Sequence, residues 1–250
     1  MPMARFDIVM QGSSLRTDQA SLGICTIALI RDHGNMLLDT GHFGTRRQIL
    51  ASLDRLGVKP ADIDHIILSH AHWDHSLNLE LFPKATVIIN SKELDFIRRV
   101  KGDDWATPNV IALLLDRMKV QTTKGDEDLT DEVRVIETPG HSPGHQAVLV
   151  RTDKGTALFT QDAMPTLRSY LRGLPDFIVT TEREARRSVE KLKGLNPSLY
   201  YPGHDRPFRI VDGRPEYVGH SSLGIIVRRE TEENFRIVLG TEEAEQPEKM

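Results

Sequence analysis

Three histidines and an aspartate fall within six residues, His70-Ala71-His72-Trp73-Asp74-His75, directly after the apolar run Ile66-Ile67-Leu68. A buried strand that ends in such a run presents several metal-ligand side chains on one rigid end. Alternate side chains of an extended backbone share a face, so His70 and His72 point the same way and can chelate one ion. Asp74 and His75 follow a turn and can face a second. Packing is a poor explanation of the run, because each of these groups, if buried, needs a polar partner of its own.

Three more ligand-type residues follow apolar runs in the same manner: His141 after Val135-Ile136-Glu137-Thr138-Pro139-Gly140, Asp162 after Ala157-Leu158-Phe159-Thr160-Gln161, and His204 after Leu199-Tyr200-Tyr201-Pro202-Gly203. Singly each is weak. Together the seven residues are enough for two four-ligand shells with one shared member.

The elements that must position them are short. Strand-like runs cover Ile24–Ile30, Met36–Leu38, Ile66–Leu68, Thr86–Ile89, Val133–Ile136, Ala147–Val150, Ala157–Phe159 and Leu199–Tyr201. Helical periodicity covers Thr45–Leu56, with Ile49, Leu50, Leu53 and Leu56 on one face and Gly57 placed as a C-cap. Two further helices are expected over Lys92–Val100 and Glu182–Leu192, and a polar loop over Thr122–Asp131. This alternation predicts an α/β protein of sheets covered by helices, not a doubly wound parallel sheet.

The order His-x-His-x-Asp-His, Thr-Pro-Gly-His, Asp, Pro-Gly-His resembles the metallo-β-lactamase superfamily, and Asp39-Thr40-Gly41 resembles its early Asp-Thr-Gly turn. The resemblance covers roughly Asp7 to Val211. It implies an αββα sandwich of two mixed sheets with two metal ions at one edge. It also implies roles: His70, His72 and His141 for the first ion, Asp74, His75 and His204 for the second, and Asp162 bridging both. Zinc is the metal implied; the all-N/O donor set suits iron or manganese as well. The function expected is hydrolysis of a small lactone or ester by a metal-bridging hydroxide, with Asp74 taking the proton of the attacking water. The alternative is a phosphodiesterase acting on single-stranded RNA or DNA.

Within the superfamily the chain is similar to the small proteins called metallo-β-lactamase domain-containing protein 1, and more distantly to lactonases. The first likeness rests on Gln11-Gly12, Leu81-Phe82-Pro83 and Pro202-Gly203-His204 leading to Pro207-Phe208-Arg209. Three positions depart from common patterns. Pro165 stands where N-acyl homoserine lactonases carry a tyrosine. Ser76 replaces the glycine usual after the histidine run. Gln161 replaces the glycine before the bridging aspartate, which is expected to reshape the pocket wall. Asp39 and His145 are expected to orient ligands, and His42 to sit at the mouth of the site or in a solvated loop. Phe43 and Met164–Tyr170 are expected to shape the pocket, Trp73 to form a pocket wall or to pack in the core, and Arg168 and Arg172 to stand in a surface loop, with contact to an anionic substrate as the alternative.

Composition narrows the partners. Lysine plus arginine number 32 against 36 aspartate plus glutamate, for a net charge of −4, and no basic run exceeds two residues. A nuclease needs cationic contacts to phosphate, so nucleic acid is not the expected partner; a small molecule is, with a homodimer left open. The one cysteine, Cys25, excludes an intrachain disulfide and reads as a core thiol. No apolar run is long enough to span a bilayer and none has a signal-peptide pattern, so a cytoplasmic protein without a membrane partner is expected. Residues 1–240 are expected to form one hydrolase domain and 241–250 a disordered tail.

Overall fold

The computed structural model describes residues 3–99, 104–219, 223–227 and 235–239; the tail expected at 241–250 lies outside them. The chain divides after Glu216 into two compact units. In the larger unit the first sheet has the order β1 (Arg5–Met10), β2 (Ile27–Arg31), β3 (Asn35–Leu38), β4 (His65–Ile67), β5 (Thr86–Asn90) and β6 (Lys119–Thr123). Pairing is antiparallel from β1 to β3 and parallel from β3 to β6. The second sheet runs from β7 (Glu127–Asp128) through β8 (Val133–Glu137), β9 (Gln146–Thr152), β10 (Gly155–Gln161) and β11 (Leu199–Pro202) to β12 (Phe208–Val211) and β13 (Arg214–Tyr217). From β7 to β12 its pairs are antiparallel except between β10 and β11. Strands β14 (Leu223–Val227) and β15 (Phe235–Leu239) form a separate antiparallel hairpin.

The central strands are apolar on both faces, and the alternation sorts them into layers. Ala28 and Ile30 of β2 meet Val133, Val135, Val148, Val150, Ala157 and Phe159 of the second sheet, which is the core between the sheets. The intervening Ile27 and Leu29 face the other way, onto Ile49 and Leu53 of helix α1 (Arg46–Arg55). On the far side, Ala147, Leu158 and Tyr200 pack against Val189 and Leu192 of the long helix Glu182–Gly194. These layers are the expected αββα sandwich. Each fully buried Leu, Ile or Val contributes about 1.5–3 kcal/mol, so the three cores outweigh the modest propensity of such short strands.

Local signals explain the helices. Gly57 follows α1 at φ +70°, as its C-cap position demands. Helix α2 (Trp73–Ser76) is a single turn inside the histidine run, and α3 (Ser91–Ile97) starts at Asn90, whose side chain accepts from the Lys92 N–H. Helices α4 (Val110–Leu115) and α5 (Leu167–Arg172) are additional to the sequence expectation. The long helix, α6, is capped by Thr181, carries Glu182 and Glu184 in its first turn and Lys191 and Lys193 in its last, and so suits the helix dipole at both ends.

Two expectations need correction. The segment 122–131 is not all loop, because it holds the end of β6 and all of β7. The first apolar strand begins at Ile27, not Ile24, because residues 13–24 form a hairpin instead: Ser13 bridges Ile24, and Arg16 bridges Ser21.

Candidate metal centre

Strands β8, β10 and β11 run in one direction, so their C-terminal ends lie along one edge of the second sheet. His141, Asp162 and His204 follow those ends. The loop after β4 meets the same edge, held there by the Gln146 N–H donating to Ser69 O (2.9 Å) and by Gln146 Nε2 donating to Leu68 O (2.9 Å). All seven residues expected from sequence are brought together. Donor atoms of His70, His72 and His141 lie within 4.8 Å of one another, as do those of Asp74, His75 and His204, and those of His70, His75 and Asp162.

The contacts within this set leave lone pairs converging on open points. His141 Nε2 lies 3.2 Å from His70 Nε2 and 2.9 Å from His72 Nδ1. Each ring directs its other nitrogen elsewhere: His70 Nδ1 donates to Ser69 Oγ (3.0 Å), His141 Nδ1 donates to Phe177 O (3.0 Å), and His72 Nε2 faces Asp104 Oδ2 (3.4 Å). Burial, reinforced by neighbouring histidines, holds His70 well below its usual range. Burial also pulls His141 down to about 3 despite the nearby Asp162. Imidazole nitrogens converging in this way are the donor chemistry of a divalent transition metal.

The second cluster is organised around carboxylates. His75 Nδ1 donates to Asp39 Oδ2 (2.7 Å), and His204 Nδ1 donates to Ile24 O (2.9 Å). Their Nε2 atoms face inward, 3.4 Å apart. Asp162 lies between the clusters, with Oδ2 3.3 Å from His141 Nε2 and Oδ1 3.2 Å from His204 Nε2. Its Oδ1 is buried without a hydrogen bond of good geometry, which fits an atom meant for a cation. Asp74 Oδ2 lies 3.4 Å from His204 Nε2. Burial disfavours charge on His75, but Asp162, Asp74 and Asp39 outweigh it and lift the imidazole to about 10. His204 is raised likewise, with Asp162 overcoming burial. Burial pushes the Asp162 carboxyl up, but His204, His75 and His141 hold it well below the usual carboxylate range.

The residues expected to support ligands are placed around them. Asp39, at φ +57°, accepts from Ser69 N and Oγ and from Gln161 Nε2 as well as from His75. His145 spends both nitrogens on the protein: Nδ1 donates to Thr138 Oγ1 (2.7 Å), and Nε2 accepts from the Asp162 N–H (3.1 Å). Ser76 Oγ donates to Ala71 O and His72 O, closing the turn of α2. Cys25, with Asp39 and His75, forms one further group, but burial pushes its thiol well up, and the Asp39–His75 hydrogen bond already occupies the other two.

Above the clusters opens a cavity of about 320 Å3. His72, Asp74, His141, Asp162 and His204 line its base, with Trp73, Trp105 and Phe177 as aromatic wall. Of the expected pocket residues, Trp73 lines it, and Pro165 and Thr166 do so from the 164–170 segment. The rest do not. Phe43 is exposed beneath Arg46, Met164 is buried in the outer core, and Tyr170 packs edge-on to Tyr200 and Phe208. Arg168 and Arg172 stand on α5, not on a loop, and Arg172 pairs with Asp176 (2.9 Å). Gln161 does not reshape the wall either; it lies buried below it, bonded to Asp39 and Thr26 O. His42 accepts from the Gly44 N–H within its own turn and packs against Trp73.

Sequence reasoning missed three contributors. Glu93 is fully buried and accepts from the Ala71 N–H, Ser142 Oγ and the Gly144 N–H, tying the His70 and His141 loops together. Its place three residues after Asn90 resembles an ordinary helix-start glutamate, which conceals that role. Asp104 and Arg16 carried no local signal.

Among solved structures, the fold is similar to a quorum-quenching N-acyl homoserine lactone lactonase (TM-score 0.65, 23% identity, 82% of this chain and 92% of that one). It is also similar to AidC, a dizinc quorum-quenching lactonase (TM-score 0.63, 19% identity, 79% of each chain). In sequence, an N-acyl homoserine lactonase of Bacillus cereus is 31% identical over 163 residues, 63% of this chain and 62% of the relative. The N-acyl homoserine lactonase AttM of Azorhizobium caulinodans is 34% identical over 170 residues, 62% of this chain and 63% of the relative. The match thus spans less than two thirds of either relative. These likenesses lie in the lactonase branch, to which the motifs alone pointed only at the greater distance. The model of the metallo-beta-lactamase superfamily matches residues 20–204, from the hairpin beside the cavity to the last clustered histidine, and on that match the chain belongs to the metallo-beta-lactamase superfamily.

Proposed function

We propose that the chain is a two-metal hydrolase of a small lactone or ester. The observation that carries this reading is the Asp162 carboxylate, whose two oxygens each face a different imidazole cluster at the base of an open cavity. In the proposed assignment His70, His72 and His141 hold one ion, Asp74, His75 and His204 hold the other, and Asp162 is shared. Imidazole and carboxylate donors suit zinc, and iron and manganese as well. Two such ions supply Lewis acidity toward a carbonyl and bring the pKa of a water to roughly 7.

The chain's own residues have distinct tasks. Asp39, Ser69, Phe177 O and Ile24 O fix the ring orientations, so that no reorganisation is needed when substrate arrives. Asp74 places a carboxylate at the base of the cavity, where it can hold a proton taken from water. Trp73, Trp105 and Phe177 offer apolar surface to the substrate. The similarity to N-acyl homoserine lactonases supports a lactone, and Pro165 leaves this cavity without the tyrosine of that branch. A screen of zinc-loaded protein and His72→Ala against lactones, aryl esters and single-stranded RNA tests the reading. Carbonyl turnover that disappears in His72→Ala is expected. RNA cleavage without any carbonyl turnover overturns it.

A further inference from the structure

One wall of the cavity is the hairpin 13–24, and it is a built element. Ser13 N–H donates to Ile24 O (2.7 Å), Leu22 N–H to Leu15 O (3.1 Å) and Thr17 N–H to Ala20 O (2.8 Å), while Thr17 Oγ1 accepts from the Ala20 N–H (2.9 Å). Its root is tied to the ligand loops: Ile24 O accepts from His204 Nδ1, and the Thr26 N–H donates to Gly203 O (2.7 Å). Gly23 lies flat on Trp73 at φ +46°; a Cβ there would stand 2.6 Å from indole Cζ2 and 2.9 Å from Asp74 Cβ. The backbone of Arg16 is bridged to Ser21 across this hairpin, and its exposed side chain lines the cavity.

The polar groups of the cavity divide unevenly. Asp74 and Asp162 face the clustered histidines, and Asp176 is paired with Arg172. Arg16 has neither an ion pair nor a side-chain hydrogen bond among the described residues. Beside it on the same hairpin stand the hydroxyls of Ser13, Ser14 and Ser21, likewise without protein partners there. The uncommitted capacity of this wall is thus an exposed guanidinium flanked by hydroxyls, in a cavity that Trp73, Trp105 and Phe177 also line. A guanidinium matches a carboxylate bidentately, and such charge-assisted bonds are the strong ones.

Resting on the carbonyl-hydrolase reading above, we propose that Arg16 is a specificity-determining residue that receives a carboxylate carried by the substrate away from its scissile carbonyl. The substrate class is then an anionic lactone or ester with an apolar or aromatic body, not a neutral one.

The test uses the zinc-loaded full chain and two substrate pairs matched in shape: 4-nitrophenyl hydrogen glutarate with 4-nitrophenyl pentanoate, and a ring-carboxylated γ-lactone with γ-valerolactone. Wild type is expected to favour the carboxylate member of each pair, with the preference shrinking as salt rises. Arg16→Ala is expected to lower the anionic-to-neutral ratio of kcat/KM about tenfold, through KM rather than kcat, and Arg16→Glu to invert it. A wild-type preference for the neutral member, or an equal loss on both members in Arg16→Ala, overturns the proposal. If no ester or lactone is turned over, the hydrolase reading fails, and Arg16 is judged by calorimetry of glutarate against butyrate on the zinc-loaded protein. An advantage for glutarate that disappears in Arg16→Ala supports the carboxylate subsite; the same advantage in both proteins, or none in wild type, overturns it.

Discussion

Four of the five clustered imidazoles hydrogen-bond the protein through one nitrogen, His72 turns its Nε2 toward Asp104, and the inward set is four Nε2 atoms and His72 Nδ1. That division ranks the residues by what their loss removes. Asp162 touches both clusters, whereas His145 acts only by accepting from the Asp162 backbone. His145→Ala is expected to weaken metal affinity about 10- to 100-fold and Asp162→Ala by more, as read by competition with a chromophoric chelator; equal losses would contradict these roles. The pH dependence has a definite sign. His75 is raised to about 10 in the metal-free protein, so its contribution to stability is complete below its ordinary value of about 6.5 and is lost as pH rises through 10. His141 is lowered to about 3, so the unfolded chain binds more protons between 3 and roughly 6.5, and stability falls as pH drops through that window. Denaturant unfolding of chelator-treated protein is therefore expected to show greatest stability near pH 6–7. Metal uptake at pH 7 must also expel the His75 proton, so affinity should rise toward alkaline pH. Proton release in weakly buffered solution, measured during zinc titration, checks this; uptake without release contradicts it.

The elements that carry the candidate ligands were legible where their burial is two-sided or strongly periodic. Helix α6 buries Ala185, Val189 and Leu192 on one face and has its cap and charges in place. Leu192→Ala is expected to cost about 2–5 kcal/mol, measured by denaturant unfolding with metal bound. Strands β6 and β7 escaped notice because they are polar and stand at sheet edges, where β6 keeps only one residue fully buried. An edge strand without an apolar stripe has no period-two signature to read. The hairpin 13–24 escaped for a different reason: its stability is borrowed from Trp73 and from the Pro202-Gly203-His204 turn, far along the chain. Gly23→Ala forces a side chain into αL backbone at about 1–2 kcal/mol and against the indole. A lower Tm and altered tryptophan fluorescence are expected, with the cavity wall displaced; an unchanged Tm would mean that the hairpin does not bear on Trp73.

For the molecule as a whole, candidate ligands drawn from four separated strand ends would make metal binding a property of the folded chain alone. Purified without chelator, the protein is expected to hold close to two transition-metal ions, measured by elemental analysis; one or fewer after reconstitution with zinc, manganese and iron contradicts the two-cluster assignment. Because an ion bound only by the native state adds about 2.7 kcal/mol at a hundredfold excess over Kd, chelation is expected to lower Tm, and zinc to restore it. Among the described residues no helix is long and apolar enough to cross a membrane, and the long-range architecture is built from the three packed cores.

The seven candidate ligands were legible in the sequence, because each lies shortly after an apolar run or in the histidine run that follows one, and that placement is a local property. The sandwich was legible for a similar reason: runs such as Ile27-Ala28-Leu29-Ile30 are apolar on both faces and demand cover on both. Only the tertiary structure decided which side chains surround the substrate space. Periodicity reports which face of an element is buried, not which distant segment comes to lie beside it. Arg168 and Tyr170, close in sequence to Asp162, belong to a helix that packs outward, whereas Arg16 reaches the cavity through a hairpin whose root is held by Gly203 and His204, nearly the full length of the domain away.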